Sequence, residues 1–596
     1  MKTHRPIAVC RETDVLVVGG GGAGFRAAIS ARNKGARALL ISKGPIARCG
    51  ASPMAGSDLT VHGRGMRAAG FFGEPNDTEE KFLSDVVHQG CFLNNQKLAE
   101  VFTVQGPARL QEMLAWGCKP TFSDERAIFT TGTGIMDALF RHARALGVEM
   151  LDNVAVLDLV TKDGQVVGAV GLELLTGEFV QFKAKAVVLA TGGWHKAYTP
   201  VTGSRELTGD GVAIAYRAGA RLVNMELVTF CCNVVFWPLV WRGSIFCYVI
   251  STIVGGDLED GSRERVFREY DSQMVRTATT TEWNKCFVSH ASAKAIRAGR
   301  GSPHGGVYFT IGDMPWQDFE GRALRLYPGW RFKGVDFSGM ARKLESGEGV
   351  EVGPAAEYFE GGIDVDEHYR TSLPGLYAAG ECALSPFGAN RVMAAITEML
   401  VSGAIAGTSA AERATTIKKS SWAPEAAESI QDRSSKPLER QGGTNPVELR
   451  KRLQTEAYAK LGPIRNGPEL RAFLEFLRDL RENGLPEVYA VSKGRPYNKE
   501  WLEALDLDNM SQVLELSARA ALERTESRGV HYREDFPDTD NDRWLKEITW
   551  TLKGGTAHLA TRAAVVTALT PPAGVTPYLE MLRQMMAAHS DVGGHH

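Results

Sequence analysis

Asp14–Gly24 reads DVLVVGGGGAG, an apolar run that stops at a cluster of glycines. A short, continuous apolar run bounded by glycine is the pattern of a strand buried on both faces. Phe25–Lys34 is rich in small residues and has no Pro, which predicts a helix; Ala36–Lys43 (ARALLISK) predicts a second buried strand. Val154–Lys162 and Gln165–Glu173 alternate on either side of Asp163-Gly164, a hairpin pattern. A further hairpin leads into the apolar strand Ala184–Thr191 and then Gly192-Gly193. Thr208–Ala220 predicts a turn and a helix that stops at Gly219, and Gly375–Ala379 predicts another strand, ahead of a long small-residue helix over Met393–Ala411.

The stretch between about 230 and 350 is aromatic-rich and less periodic. Residues 416–446 are polar, with Pro, Ser and Gln-Gly-Gly, and predict a surface linker. Beyond it the pattern is helical: Leu470–Leu480 and Met510–Arg524 carry apolar residues at i, i+3, i+4 and i+7. The tail from about 585 carries no structural signal.

Phe230–Gly255 is apolar enough to suggest a membrane span. Pro238, Arg242 and Gly243 interrupt it, and a spanning helix needs about 20 apolar residues. Buried core or a contact surface is the better reading, and no transmembrane segment is expected. The N-terminus has no apolar run followed by a small-residue cleavage site, so no signal peptide is read. The 596 residues carry 68 Lys+Arg against 70 Asp+Glu, a formal charge of −2 that gives no electrostatic reason to expect nucleic acid as a partner. Nine scattered Cys, with no CxxC pair, argue for a reducing compartment and against a disulfide framework, a zinc site or an iron–sulfur cluster on this chain.

Gly19, Gly21 and Gly24 form GxGxxG between a strand and a helix. In a dinucleotide-binding unit the first permits the turn, the second lets the backbone approach a pyrophosphate and the third allows close packing; the phosphates then sit on the helix N-terminus. The acidic residue that commonly ends the second strand is replaced by Ser42-Lys43. Ala190–Gly193, Thr208–Gly211 and Ala379–Glu381 are further glycine-bearing turns at the ends of predicted elements.

Together with GRGSPHGGVYF, GGIDVDEHYRTSLPGLYAAGECA, GANR and the C-terminal RAALERTESRGVHYREDFPDTDNDRWLK, these segments resemble the flavoprotein family of succinate dehydrogenase and fumarate reductase, which also includes L-aspartate oxidase and the adenylylsulfate reductase flavoprotein. The resemblance implies an α/β chain. A Rossmann-like FAD-binding domain would span 1–230 plus 355–415, an inserted α+β capping domain 231–354, the linker 416–446, and a helical C-terminal domain and tail 447–596. FAD would lie along Gly19, Gly21, Gly22, Ala23 and Gly24. Ser42 and Lys43 would meet its adenosine side, and Ala155 its adenine. Arg48, Cys49, Gly50, Ala51 and Gly56 would line the flavin ring; Ala190, Thr191, Gly192, Asp210 and Glu381 would add contacts. Ala394, Ile396 and Thr397 would begin the helix aimed at the ring.

Departures from the family pattern shape the functional expectation. Where covalently flavinylated members carry Arg-Ser-His, this chain has Arg48-Cys49-Gly50, so non-covalent FAD is expected. The substrate His of the dicarboxylate members becomes Cys231 and a second becomes Glu357. Their catalytic Arg becomes Lys285, and the carboxylate-clamping Arg is kept as Arg391. Plain succinate or fumarate chemistry is therefore not expected. Lys285, Arg391 and His290 are the catalytic candidates, with His304 a further one, and Cys231, Glu357 and Arg391 the substrate contacts. Phe230, Phe236, Trp237, Trp241, Phe246 and Tyr248 read either as core or as the wall of a pocket for a bulkier, aromatic-bearing organic acid. The resemblance implies a cytoplasmic oxidoreductase, peripheral to a membrane at most through partners, that exchanges electrons with a ferredoxin-like iron–sulfur subunit. The alternatives are a stand-alone flavin oxidase and an electron-relay subunit without its own substrate.

Overall fold

The computed structural model describes residues 9–55, 58–245, 255–326, 338–392 and 394–589. The strand Val9–Val18 lies between Ala38–Ile41 and Glu178–Leu189, parallel to both, in a seven-stranded sheet that Glu149–Leu151 extends beyond Ala38–Ile41. The first part of Glu178–Leu189 pairs antiparallel with Gln165–Glu173, which pairs with Val154–Lys162; its last residues pair in parallel with Leu376–Ala378. Val15–Val17 and Val187–Leu189 are fully buried, as continuous apolar strands covered on both faces must be.

Two helices pack tightly beside this sheet. Gly22–Asn33 follows the first strand and Ala395–Thr416 follows the last. A Cβ added to Gly403 would lie 2.5 Å from Ala23 O, and one on Gly407 would lie 2.1 Å from Ala27 O. The small-residue composition of both helices is the condition for this close approach.

The cap is a four-stranded antiparallel sheet in the order Val228–Trp237, Val350–Phe359, Val307–Thr310, Asp257–Glu259. Helices Ser272–Thr280 and Phe287–Ala295 belong to it. The strands Val228–Trp237 and Val350–Phe359 carry the chain into the cap and back out. The apolar stretch at 230–255 thus starts as a cap strand, and its residues 246–254 lie outside the described residues. Among the described residues no helix is long and apolar enough to cross a membrane.

The C-terminal helices Pro446–Lys460, Gly467–Asp479 and Lys499–Glu523 follow the predicted periodicity, with Leu470, Phe473, Leu477 and Leu480 on one buried face. Three expectations need correction. The linker 416–446 contains the helix Pro424–Glu439, whose Ala427, Ile430 and Leu438 pack against Val160, Val170 and Leu172; the polar composition hid a narrow apolar stripe. The region 447–596 is not all helical. Lys546–Lys553 and Thr556–Ala563 form a hairpin on Leu222–Val223, closed by Gly554 and Gly555 at φ +57° and +79°, the two-residue turn with positive φ at both positions that favours Gly-Gly. The tail also holds a helix, Tyr578–His589, which buries Met581, Leu582, Met585 and Met586.

Candidate functional site

Parallel pairing brings four strand ends together. Val18 is in register with Ile41 and with Leu189, and Leu189 is in register with Ala378. The residues that follow these ends, among them Gly19–Ala23, Ser42, Lys43, Ala190–Gly192 and Ala379–Glu381, line one cavity of about 1160 Å³ including its mouth. Gly19 takes φ +123°, and a Cβ there would lie 2.1 Å from Ala190 O. Gly24, behind the cavity wall, would place a Cβ 1.8 Å from Gly19 O. Only glycine permits a turn folded this closely on its neighbours. Gly21 differs: a Cβ there would meet nothing nearer than Ser52 Oγ at 3.3 Å, so packing does not demand a glycine. Gly21 caps the helix Gly22–Asn33 without a side-chain bond, and the first turn carries no acidic residue. Gly22 N donates to Ser52 Oγ at 3.1 Å; the N–H groups of Ala23 and Gly24, with the positive end of the helix dipole, remain to favour an anion at this end of the helix.

At one end of the cavity Lys43 Nζ donates to Thr208 Oγ1 at 2.8 Å, Asp210 Oδ2 at 2.9 Å and Asp506 Oδ1 at 2.5 Å. Burial alone would lower the Lys43 pKa, but the two carboxylates outweigh it and hold the ammonium above its ordinary value. Asp210 also accepts from Thr208 and from Asn509 Nδ2. Ala155 lines the groove that continues outward past Lys43 and Asp506. Cys49, Gly50 and Ala51 line the cavity from a loop, with Ser42 Oγ 3.2 Å from Cys49 Sγ.

The helix Ala395–Thr416 starts at the other end, with no side-chain cap at Ala394. Ala395, Ile396, Glu398 and Met399 line the cavity, while Thr397 is fully buried behind them with its Oγ1 lacking a hydrogen bond. Burial pushes the Glu398 carboxyl up to about 7 against the opposing pull of Arg391. Glu381 accepts from Gly193 N at 3.1 Å through Oε2, and its Oε1 has no hydrogen bond.

The base of the cap meets this end. Arg391 lines the cavity with its guanidinium carbon 4.7 Å from the Tyr358 ring centre and 4.8 Å from that of Phe387. Its Nε donates to Glu360 Oε1 at 3.0 Å and its Nη2 to Ser385 Oγ at 3.4 Å. Lys285 Nζ lies 5.2 Å from the same Tyr358 ring and is ion-paired with Glu282. Burial would lower the Lys285 pKa, but Glu282 and Glu357 raise it above the ordinary value. Beside this pair, burial and the Glu282 charge push the Asp58 carboxyl up to about 6.

The FAD binding domain family matches residues 14–279 and 333–397, and the fumarate reductase flavoprotein C-terminal family matches 450–576. Over 90% of its length the chain is 31% identical to 96% of a fumarate reductase (CoM/CoB) subunit from Methanothermobacter marburgensis. The Escherichia coli fumarate reductase flavoprotein subunit is 28% identical, over 94% of this chain and 95% of its own. The solved structure of Mycobacterium smegmatis Sdh1 in complex with UQ1 superposes with a TM-score of 0.82 at 30% identity, covering 94% of this chain and 96% of that one.

The chain belongs to the fumarate reductase and succinate dehydrogenase flavoprotein family. It is an FAD-dependent oxidoreductase. The residues present fit the cofactor: within the chain a Cβ on Gly21 would meet only Ser52 Oγ, which leaves the turn open to a pyrophosphate, and Glu381 Oε1 makes no hydrogen bond, with His195 Nε2 3.5 Å away.

Several residues singled out in the sequence stand elsewhere. Arg48 is turned away from the cavity to Asp137 Oδ1 at 2.6 Å, with 52% of its side chain exposed, because a guanidinium with a surface carboxylate in reach has no reason to be desolvated. Ala394 and Thr397 support the helix start without lining the cavity, and Gly56 lies outside the described residues. His290 does not reach the cavity. Its ring lies 4.2 Å from that of Tyr532 and 5.6 Å from that of Tyr578, and burial pushes it down to about 3. A neutral imidazole in that apolar pocket is core, not an acid at neutral pH.

Cys231 is buried with Val234 and Ala355, and burial, with Cys232 and Glu357 nearby, holds its thiol far above the ordinary range. Glu357 stands near Lys285, and its backbone carbonyl accepts from His195 Nε2 at 2.5 Å. His304 stacks on Trp237 at 4.2 Å and its Nδ1 lies 2.7 Å from Glu351 Oε1. Phe230 packs on Tyr198, and Phe236 is buried in the cap; Trp241 is partly buried against the cap core. None of these aromatics lines the cavity, and Phe246 and Tyr248 lie outside the described residues. The rings that do meet the site, Tyr358 and Phe387, were not read from the sequence, nor were Glu360, Glu398, Glu282 and Asp58.

Proposed function

We propose that this chain transfers a hydride between FAD and a C–H or C=C bond of an organic substrate held between the cavity and the cap. The supporting observation is that Arg391 and Tyr358 line the cavity formed by the four strand ends, with Lys285 Nζ 5.2 Å from the Tyr358 ring just behind that wall. Bound FAD supplies N5 as the hydride donor or acceptor. The turn at Gly19–Gly24 holds the pyrophosphate, and Lys43 with Asp210 orders the adenosine end. Tyr358, at the foot of a cap strand, closes the substrate side to water. Lys285 holds at Nζ the proton that the substrate carbon takes up or releases, and Glu282 and Asp58 stand behind it to replace that proton. The expected clamp on a substrate carboxylate, Arg391, is already ion-paired with Glu360.

We further propose that the electrons pass to or from a ferredoxin-like iron–sulfur subunit, since the relatives are named as subunits. The free cysteines, most of them buried, agree with a cytoplasmic location. Anaerobic titration of the FAD-loaded protein against saturated and unsaturated metabolites tests the reaction. Bleaching of the oxidised flavin band by one compound, or its recovery when the reduced protein meets the unsaturated counterpart, is the expected result. Reoxidation of the reduced protein by ferredoxin faster than by oxygen tests the partner; rapid peroxide release would point to a stand-alone oxidase.

A further inference from the structure

Within the hydride-transfer reading above, the charge of the substrate can be argued from the residues around it. Among the described residues, the carboxyl groups of Asp58, Glu282, Glu357, Glu360, Glu381 and Glu398 lie close enough to act on Lys285 and Arg391, or on each other. Each cation is matched within the chain. The Arg391–Glu360 pair is buried on both sides, with 2% and 0% of the side chains exposed. The guanidinium carbon lies 4.7 Å and 4.8 Å from the ring centres of Tyr358 and Phe387, and Ser385 takes one edge. Lys285, with 1% of its side chain exposed, is paired with Glu282. Glu360 is held in turn by Thr229 Oγ1 at 3.3 Å, so it is built into the strand ends and is not a passing partner.

An anion entering this space has two courses. It can displace Glu360 from Arg391, leaving a buried carboxylate unpaired, which is strongly unfavourable. Or it can stand beside the carboxyl groups that already surround Arg391, Glu360 and Glu398 among them. Neither course is open at low cost to a group carrying two negative charges. A neutral carbonyl, amide or hydroxyl meets no such penalty: it accepts from the N–H edge that Arg391 keeps at the cavity, or donates to a carboxylate.

We infer that the site takes a substrate with no net negative charge, uncharged or cationic, and excludes the dicarboxylates. Glu360 is the residue that sets this choice.

A series of one shape and three charges tests it: fumarate (−2), fumaramate (−1) and fumaramide (0). Each is titrated into the oxidised, FAD-loaded protein, with calorimetry and the shift of the visible flavin band as readouts. Affinity is expected to rise as charge is removed, at least tenfold from fumarate to fumaramide. Fumarate binding as tightly as fumaramide, or more tightly, overturns the inference. In Glu360→Gln the guanidinium loses its carboxylate; fumarate affinity is expected to rise at least tenfold while fumaramide changes less than twofold. If that variant does not fold, Glu398→Gln removes a second carboxyl near Arg391 and is expected to shift fumarate affinity the same way. No gain for fumarate in the folded variant overturns the inference, even if the wild-type protein binds none of the three. Binding is measured on oxidised flavin, so it stands apart from the reaction itself. If the reduced protein is reoxidised by no alkene of any charge, the hydride-transfer reading fails while the binding order is still read.

Discussion

Lys43 and Asp506 are 463 residues apart in the chain, and Lys43 Nζ lies 2.5 Å from Asp506 Oδ1. Asp506 is carried by the helix Lys499–Glu523, so the C-terminal helical region lines the groove that runs outward from the cavity past Lys43. A single ammonium holds two buried carboxylates, Asp210 and Asp506. Removing the ammonium leaves Asp210 without its ion-pair partner and Asp506 with only Lys196 Nζ at 3.3 Å, whereas neutralising Asp506 leaves the Lys43–Asp210 pair intact. Lys43→Met is expected to cost about 3–5 kcal/mol, and Asp506→Asn only about 1 kcal/mol. Urea unfolding midpoints of the two variants check the order.

Gly21 separates folding from cofactor binding. Its Cβ would meet only Ser52 Oγ at 3.3 Å within the chain, so Gly21→Ala is expected to change stability by less than about 1 kcal/mol. The methyl would stand where the pyrophosphate approaches, and FAD affinity is expected to fall at least tenfold. Calorimetric FAD titration alongside thermal unfolding of the apoprotein measures both quantities. Gly24→Ala, aimed at Gly19 O, is expected to unfold the turn itself.

Glu398 makes the apoprotein's stability depend on pH. Its carboxyl sits at about 7 when folded, against an ordinary value of 4.5. Above pH 4.5 the unfolded chain releases this proton while the folded chain keeps it, so stability falls as pH rises towards 7 and the full loss is present above that. The loss approaches about 3 kcal/mol, at about 1.4 kcal/mol per pH unit between the two values. Glu398→Gln is expected to match the wild type near pH 4 and exceed it by that amount near pH 8. Denaturation midpoints across the range decide it.

His290 shows the opposite slope. Its folded value of about 3 lies below the ordinary 6.5, so the unfolded chain takes up a proton first as pH falls. The stability contribution is present above pH 6.5 and is lost between 6.5 and 3. Replacing the imidazole in His290→Gln is expected to flatten this acid loss and to leave the flavin reduction rate within twofold. A tenfold fall in that rate would return His290 to the catalytic group.

Gly50 offers no nucleophile to the cofactor, and a Cβ there would meet nothing within 4 Å. Acid precipitation of the FAD-loaded protein is expected to leave all flavin in the supernatant. Flavin fluorescence retained in the washed pellet would show a covalent bond.

The cofactor end of the molecule was legible because its signals are local. Gly19, Gly21 and Gly24 sit within one turn, and the strand ends carry their glycines beside them. The substrate end was not, because its pairs join distant segments. Glu360 follows a cap strand and Arg391 lies on a later loop; nothing in either stretch announces that the two are 3.0 Å apart. Tyr358 and Phe387 read as ordinary aromatics until Arg391 is found beside both. The helix Pro424–Glu439 escaped notice for a third reason: its buried stripe is narrow, and most of its residues face water.

The tight seam at Gly403 and Gly407 couples the two ends of the cavity. It fastens the helix that starts beside Arg391 to the helix that starts beside the phosphate turn, leaving no room for one to slide along the other. Descendants of this scaffold can therefore swap acidic and basic side chains at the foot of the lid to suit new substrates, while a single methyl group gained along the seam would misalign the nucleotide and the reacting ring together.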